Sequence, residues 1–411
     1  MTTANGIRVT VNPDPWVFGV AVNLWYGVGS VAEETGKTGF AHLFEHLMFS
    51  GSAQVASGEH LGALQAIGGN ANATTSFDRT NYYETIPAGG LELALWLEAE
   101  RLTSLLDAVD ITNLDTQRAV VLEEKRQRYD NQPYGDAFMH LMTLVYGEAH
   151  PYGHLPIGSM ADLEAATLDD VAAFFSRHYV PANLVLTLSG AVTPDEGFAL
   201  VEKYFGDIPP GAATPAVDLG VPRLEGLPRT QVTGDVPQDL VYCCWRTPPV
   251  ADAASDALGL ALTILAGSMS SRLHQELVRT SIADSVDAFD LGLERGTSVA
   301  AATAACAEGV APERVEEALI ATWERFLADG PTPAELARAK MAEERDVLAD
   351  LASIESRADQ ISGAVTQFGD AEEVNRHLAT IAALTPEAVH AAAAEWLDPA
   401  HRAVLTYRGQ S

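Results

Sequence analysis

Apolar and polar positions divide most cleanly in residues 38–51, TGFAHLFEHLMFSG. At about 100° per residue, Phe40, Leu43, Phe44, Leu47 and Met48 form one apolar stripe, which predicts an amphipathic helix. Thr38 is expected as its N-cap and Gly51 as its stop. The same spacing predicts helices over 91–106, 115–129, 253–265, 312–329 and 333–351. Alternating or β-branched runs predict strands over 6–11 and 17–26. The order is no strict βα alternation, so the fold class is α+β.

A long-range repeat organises these elements. TLDDVAAFFSRHYVPANLVLTLSG begins at Thr167 and TPEAVHAAAAEWLDPAHRAVLTYRG at Thr385. Thr167 and Thr385, Val171 and Val389, and Pro181 and Pro399 each stand 218 positions apart. That period is too long for a solenoid and predicts two homologous mixed α/β domains. The Pro/Gly-rich stretch 206–228 reads as the linker between domains at 1–205 and 229–411.

Composition narrows the function. A net charge of −31 opposes nucleic-acid binding, which needs cations to neutralise phosphates, and opposes anionic membranes. No apolar run is long enough to span a bilayer, and the first residues, MTTAN, form no signal peptide, so a soluble, cytoplasmic protein is expected. Three cysteines with no Cys-x-x-Cys offer neither a disulfide scaffold nor a thiolate metal site.

The polar face of the 38–51 helix carries the candidate chemistry. His42, Glu45 and His46 share it, so two imidazoles stand one turn apart with a carboxylate between them. Such a pair suits a divalent metal, zinc above all, with Glu45 as general base. His-x-x-Glu-His is the inverzincin signature. The segments GKTGFAHLFEHLMFSGS, GGNANATTSFDRTNYYETIP, QRAVVLEEKRQRYDNQPYG and HPYGHLPIGSMADLEAATLDDVAAFF follow in order. Together they resemble the pitrilysin and mitochondrial processing peptidase superfamily, nearest to its short bacterial two-domain chains.

The resemblance implies a zinc-dependent endopeptidase or oligopeptidase, with one zinc per chain on His42, His46 and a glutamate from a later helix. Glu123 and Glu124 are both available; alignment on Gln117-Arg118-x-Val120-Val121 and an inward position beside Val120 and Val121 favour Glu124. Gln117 stands where some relatives carry a further glutamate, leaving it a hydrogen-bonding role behind the ligands. Glu45 would take a proton from the attacking water and pass it to the leaving amine.

The segment 68–87 matches the family's substrate-bordering edge strand, with Asn72, Ala73, Thr74 and Thr75 as contacts for short or unfolded peptides. The family's closed chamber would exclude folded proteins. Active single-chain relatives also hold substrate with an arginine and a tyrosine from the C-terminal half. Here Ser271-Arg272-Leu273 and Arg279 survive, but Asp284 stands at the tyrosine position. The expected partner is therefore a homologous subunit without zinc that supplies the Arg/Tyr pair, with a homodimer as runner-up. The second domain has Leu260, Thr263 and Ile264 where the first has His42, Glu45 and His46, so no metal is expected there. The alternative is a non-catalytic scaffold subunit.

Overall fold

A computed structural model describes residues 1–215, 218–221 and 223–410. Among the described residues, ten strands form two five-stranded sheets. The first takes β1 (Arg8–Pro13), β2 (Gly19–Tyr26), β3 (Asn70–Thr75), β4 (Thr80–Pro87) and β5 (Leu184–Gly190) in the order β1-β5-β2-β4-β3. The second takes β6 (Arg229–Gly234), β7 (Leu240–Thr247), β8 (Ala283–Asp290), β9 (Ser298–Cys306) and β10 (Ala403–Gly409) in the order β6-β10-β7-β9-β8. Counterparts occupy the same places, and in each sheet only the first pair is parallel. The duplication read from the 218-residue spacing is therefore a duplication of topology. Its sequence markers have matching structural jobs. Thr167 and Thr385 are both N-caps that accept a backbone N–H at 3.2 Å. Pro181 and Pro399 both open 3-10 turns before the last strand of their sheet.

Compactness cuts the chain differently from the linear halves. One unit comprises residues 1–126, 154–215 and 348–374; the other comprises 127–153, 216–347 and 375–411. Helix Ala137–Tyr146 packs on β10, β7 and β6, whereas helix Ile354–Gln367 packs on β5, β2, β1 and β4. The exchange is reciprocal, since Ala137 and Glu355 stand 218 positions apart. Each sheet thus buries a face under a helix from the other half of the sequence. Local periodicity cannot reveal this, because a helix's apolar stripe does not name the sheet it will meet. Within the expected linker 206–228, the described residues form no helix or strand; positions 216, 217 and 222 lie outside the described residues. Among the described residues no helix is long and apolar enough to cross a membrane.

The first unit's other sheet face carries α1 (Phe40–Leu47), α2 (Glu59–Ala66) and α3 (Leu91–Ser104). Beneath them lies a buried ionic cluster that sequence reading missed. His60 Nε2 stands 3.2 Å from Glu84 and 3.5 Å from Glu98. Arg101 forks onto Glu98 through Nε at 3.0 Å and through Nη2, and its guanidinium lies 4.5 Å from the Tyr82 ring centroid. Burial works to raise Glu98, but Arg101 and His60 outweigh it and hold the carboxyl down at about 2. Burial and the neighbouring Glu98 charge push Glu84 well above its ordinary 4.5, so it is held protonated.

A carboxyl whose folded pKa is raised costs stability as pH climbs past its unfolded value, because only the unfolded chain releases the proton. Glu84→Gln keeps the shape and a donor but removes that cost. The variant should melt above wild type at pH 8, with the gap closing as the pH falls below the ordinary carboxyl value of 4.5. A lower melting temperature at pH 8 would mean that Glu84 is ionised in the folded protein.

Candidate metal centre

The apolar stripe of α1 is buried as expected: Phe40, Leu43, Phe44, Leu47 and Met48 are each at most 2% exposed. Phe44 stacks on Phe174 with ring centroids 5.0 Å apart, fixing α1 against helix Leu168–His178. The caps differ from expectation. The N-cap is Gly39 at φ 91°, not Thr38, and the helix ends at Leu47 with Met48 as its cap, four residues before Gly51. Thr38 instead binds Asp162 through its backbone N–H at 2.9 Å and its hydroxyl at 2.6 Å. Two N–H groups at the start of α1 go to Glu33, which accepts from the N-cap Gly39 at 2.9 Å and from Ala41 at 2.8 Å. Glu33 is held in turn by His154 Nε2 at 2.9 Å, and its side chain is fully buried. Gly158 completes the anchor: at φ 69°, a Cβ there would stand 2.3 Å from the Gly39 nitrogen.

The other contributor is α4 (Ile111–Lys125). Asp110 caps it, accepting from Thr112 N at 2.8 Å and Asn113 N at 2.9 Å. Its inward face runs Leu114, Gln117, Val121 and Glu124. Val120, expected beside Glu124 on that face, is 45% exposed and points outward. Glu123 is exposed and faces Arg126 at 3.4 Å. Gln117 is partly buried on this face.

These two helices bring three ligand-type side chains together. Glu124 Oε2 lies 3.5 Å from His42 Nε2 and 3.4 Å from His46 Nε2. All three donor atoms lie within 4.8 Å of one another. Glu45, on the same face of α1, accepts the Thr75 hydroxyl at 2.6 Å. Burial raises the Glu45 carboxyl; the Thr75 hydrogen bond and His46 oppose that shift, and the Glu124 charge adds to it. A carboxyl raised in this way is a better proton acceptor than an ordinary glutamate.

Among the described residues, one other group has donors this close: His60, Glu84 and Glu98. It is poorly suited to a cation. Arg101 already neutralises Glu98, burial and the Glu98 charge raise the Glu84 carboxyl well above its ordinary range, and all three residues are buried. A dication there would meet a fixed guanidinium. His42, His46 and Glu124 are partly exposed. In the second sheet's unit, Leu260 and Ile264 sit in the apolar core, and neither is a metal-ligand type.

The four residues expected along the substrate edge divide between two faces. β3 pairs only with β4, so its outer edge is unpaired within the described sheet. Ala73 and Thr75 face α1, as the Thr75–Glu45 bond shows. Thr74 faces away, donating to Asn81 at 2.6 Å, and Asn72 shares its side by strand alternation.

Comparison with known proteins agrees with this architecture. Residues 8–154 match the model "Insulinase (Peptidase family M16)", and residues 165–343 match "Peptidase M16 inactive domain". An uncharacterized zinc protease of Mycobacterium bovis is 32% identical over 98% of this chain and 92% of its own length. The chain belongs to the M16 peptidase family. It is by that membership a metallopeptidase. The zinc protease PqqE of Helicobacter pylori is 32% identical over 86% of this chain and 80% of its own. A crystal structure of a protease from Helicobacter pylori matches with a TM-score of 0.92 and 27% identity, covering 99% of this chain and 98% of that one.

The Glu33 anchor was missed because its partners lie 6, 8 and 121 residues away. Only the distant His154 gave a signal, within HPYGHLP. Replacing Glu33 by Ala strips the acceptor from two helix N–H groups, at a cost of about 2–3 kcal/mol. Thermal unfolding should show that loss, and Glu33→Gln, which keeps one acceptor oxygen, should lose less. Equal stability of Glu33→Ala and wild type would remove the anchor from the account.

Proposed function

We propose that this chain is a zinc-dependent endopeptidase or oligopeptidase acting on short or unfolded peptides. His42, His46 and Glu124 would hold one zinc, and Glu45 would be the general base. The observation that carries this reading is the Thr75–Glu45 hydrogen bond at 2.6 Å, which ties the base to the one edge strand beside the three gathered ligands. The donor set fits zinc: two imidazoles and a carboxylate leave room for a further ligand. When bound, zinc supplies Lewis acidity, making water a stronger acid and a carbonyl more electrophilic.

The chain's own groups supply the rest. The unpaired edge of β3 can take an extended peptide as an added strand, recognising backbone more than side chains. Glu45 takes the proton of the attacking water and delivers it to the departing amine nitrogen. Thr75 steers the carboxylate while leaving its second oxygen for that transfer. A closed chamber of the family's kind would keep folded proteins away. A scaffold role is disfavoured, since every donor is in place.

Two substitutions test the assignments. Glu45→Gln should retain zinc yet lose at least about 10²-fold in peptide hydrolysis, as expected for a missing general base. Near-normal turnover would reassign Glu45. Glu124→Gln should lose zinc in metal analysis, whereas Glu123→Gln should keep it; the reverse pattern would move the ligand to Glu123.

We further propose that the active form is a heterodimer with a homologous subunit that lacks zinc. The C-terminal half has little to offer substrate from its matching motif. Arg272 is committed to Glu335, with two bonds at 2.8 Å, and to the Gly330 carbonyl. Arg279 is exposed and donates to Gln275. Asp284 lies exposed at a register shift in β8, and a carboxylate cannot donate as a phenol does. Adding the partner should raise the peptidase rate of the purified chain well above its value alone. Full activity alone, with no gain from the partner, favours the homodimer.

A further inference from the structure

The unit that holds the second sheet keeps a cavity where the first gathers its ligand-type side chains. It measures about 180 Å³ and is lined by the end of helix Ser255–Ala266, the loop 267–271 and helix Pro333–Asp350. Counting back 218 positions sets its lining residues Thr263, Ile264 and Ala342 at Glu45, His46 and Glu124. A carboxylate, an imidazole and a second carboxylate are thus replaced by a hydroxyl, an apolar chain and a methyl group. That set has lost the donors a dication needs. The cavity itself is kept.

Two independent features point to an acidic ligand. Ser271 lines the cavity, is 4% exposed, and its Oγ has no hydrogen-bond partner. Burying a hydroxyl without a partner is costly, and this one can donate to an incoming oxygen. The second feature is Arg338, an exposed lining residue on helix Pro333–Asp350. Glu335, three positions earlier, is the partner that helix geometry offers it. That carboxylate is committed elsewhere, to Arg272 through two bonds at 2.8 Å and to the Thr332 N–H at 2.8 Å. Arg272 above all holds the Glu335 carboxyl down at about 2, so these two charges cancel. Among the described residues Arg338 has neither a hydrogen bond nor an ion pair. One unmatched positive charge therefore stands at this cavity, in a chain whose formal charge is −31.

The charge balance selects the kind of anion. Helix Ser255–Ala266 ends at the cavity, and a helix C-terminus carries partial negative charge. A phosphate dianion would meet that field with one guanidinium to offset it. A carboxylate brings a single charge and can accept from a guanidinium and a hydroxyl together. We propose that this cavity binds a carboxylate, carried by a small organic acid or by the C-terminus of a peptide. Nothing in this site requires the metal or the peptidase activity.

Methyl NMR of the full-length, zinc-loaded chain labelled at its 7 methionines reads the site directly. Met269 lies within the lining loop and Met341 beside Ala342, whereas Met48 caps α1 and reports any binding at the first unit's ligands. Propionate, titrated at constant ionic strength, should shift Met269 or Met341 saturably, with half-saturation at about 1–10 mM. Phosphate should need a higher concentration. N-acetylglycine, which carries the carboxylate of a peptide terminus, should bind; N-acetylglycinamide, which lacks it, should not. Tighter binding of N-acetylglycine than of propionate assigns the site to peptide C-termini, and equal or weaker binding assigns it to free acids. Arg338→Gln and Ser271→Ala should each weaken propionate about three- to tenfold. Arg338 is exposed, so its variant keeps the test open where Ser271→Ala folds poorly. The carboxylate site is overturned by the absence of a shift at both Met269 and Met341, or by phosphate or N-acetylglycinamide binding as tightly as propionate. Wild-type affinity for propionate in either folded variant overturns it as well.

Discussion

The structure depends on holding two imidazoles and a carboxylate within 4.8 Å of one another before any cation arrives. The glutamate and the two histidines come from separate helices. The backbone has to impose their closeness. One turn of α1 fixes His42 relative to His46, which makes two of the three positions a matter of local geometry. The third requires α1 and α4 to meet in one register. That register rests on the Phe44 side of α1 packed against Phe174, and on a buried N-terminus tied to Glu33 and His154. Helix position, set by packing and by one buried carboxylate, is what the chemistry inherits.

The two histidine–carboxylate groups of this unit show how neighbours decide function. Both place a histidine nitrogen about 3.5 Å from a carboxylate oxygen. Around His60 an arginine, a glutamate whose carboxyl burial raises, and the burial of all three residues close the electrostatics internally. Around His42 and His46 the three side chains are partly exposed, so solvent can enter. Proximity of ligand types is therefore an incomplete criterion; access from solvent separates the two groups.

Much of this was legible in the chain itself. The stripe of α1 and the His42–Glu45–His46 face follow from a period of 3.6, and the duplicated topology follows from markers 218 positions apart. What stayed hidden was non-local. Periodicity placed helix Ile354–Gln367 in neither sheet, yet it packs on the first. The capping of α1 went to Glu33 because Thr38 found a better partner in Asp162, 124 residues away. On α4 the wheel set Val120 inward, whereas the helix turns Leu114, Val121 and Glu124 to that side. The two-sided character of Asn72 to Thr75 was available from strand alternation, and only the position of α1 shows which side meets Glu45.

The most direct measurement of the central claim is an anomalous difference map, collected at the zinc edge from crystals of the metal-loaded chain. The account predicts one strong peak per chain, within coordination distance of His42, His46 and Glu124. A peak at His60, Glu84 and Glu98, or no bound zinc at all, would contradict it.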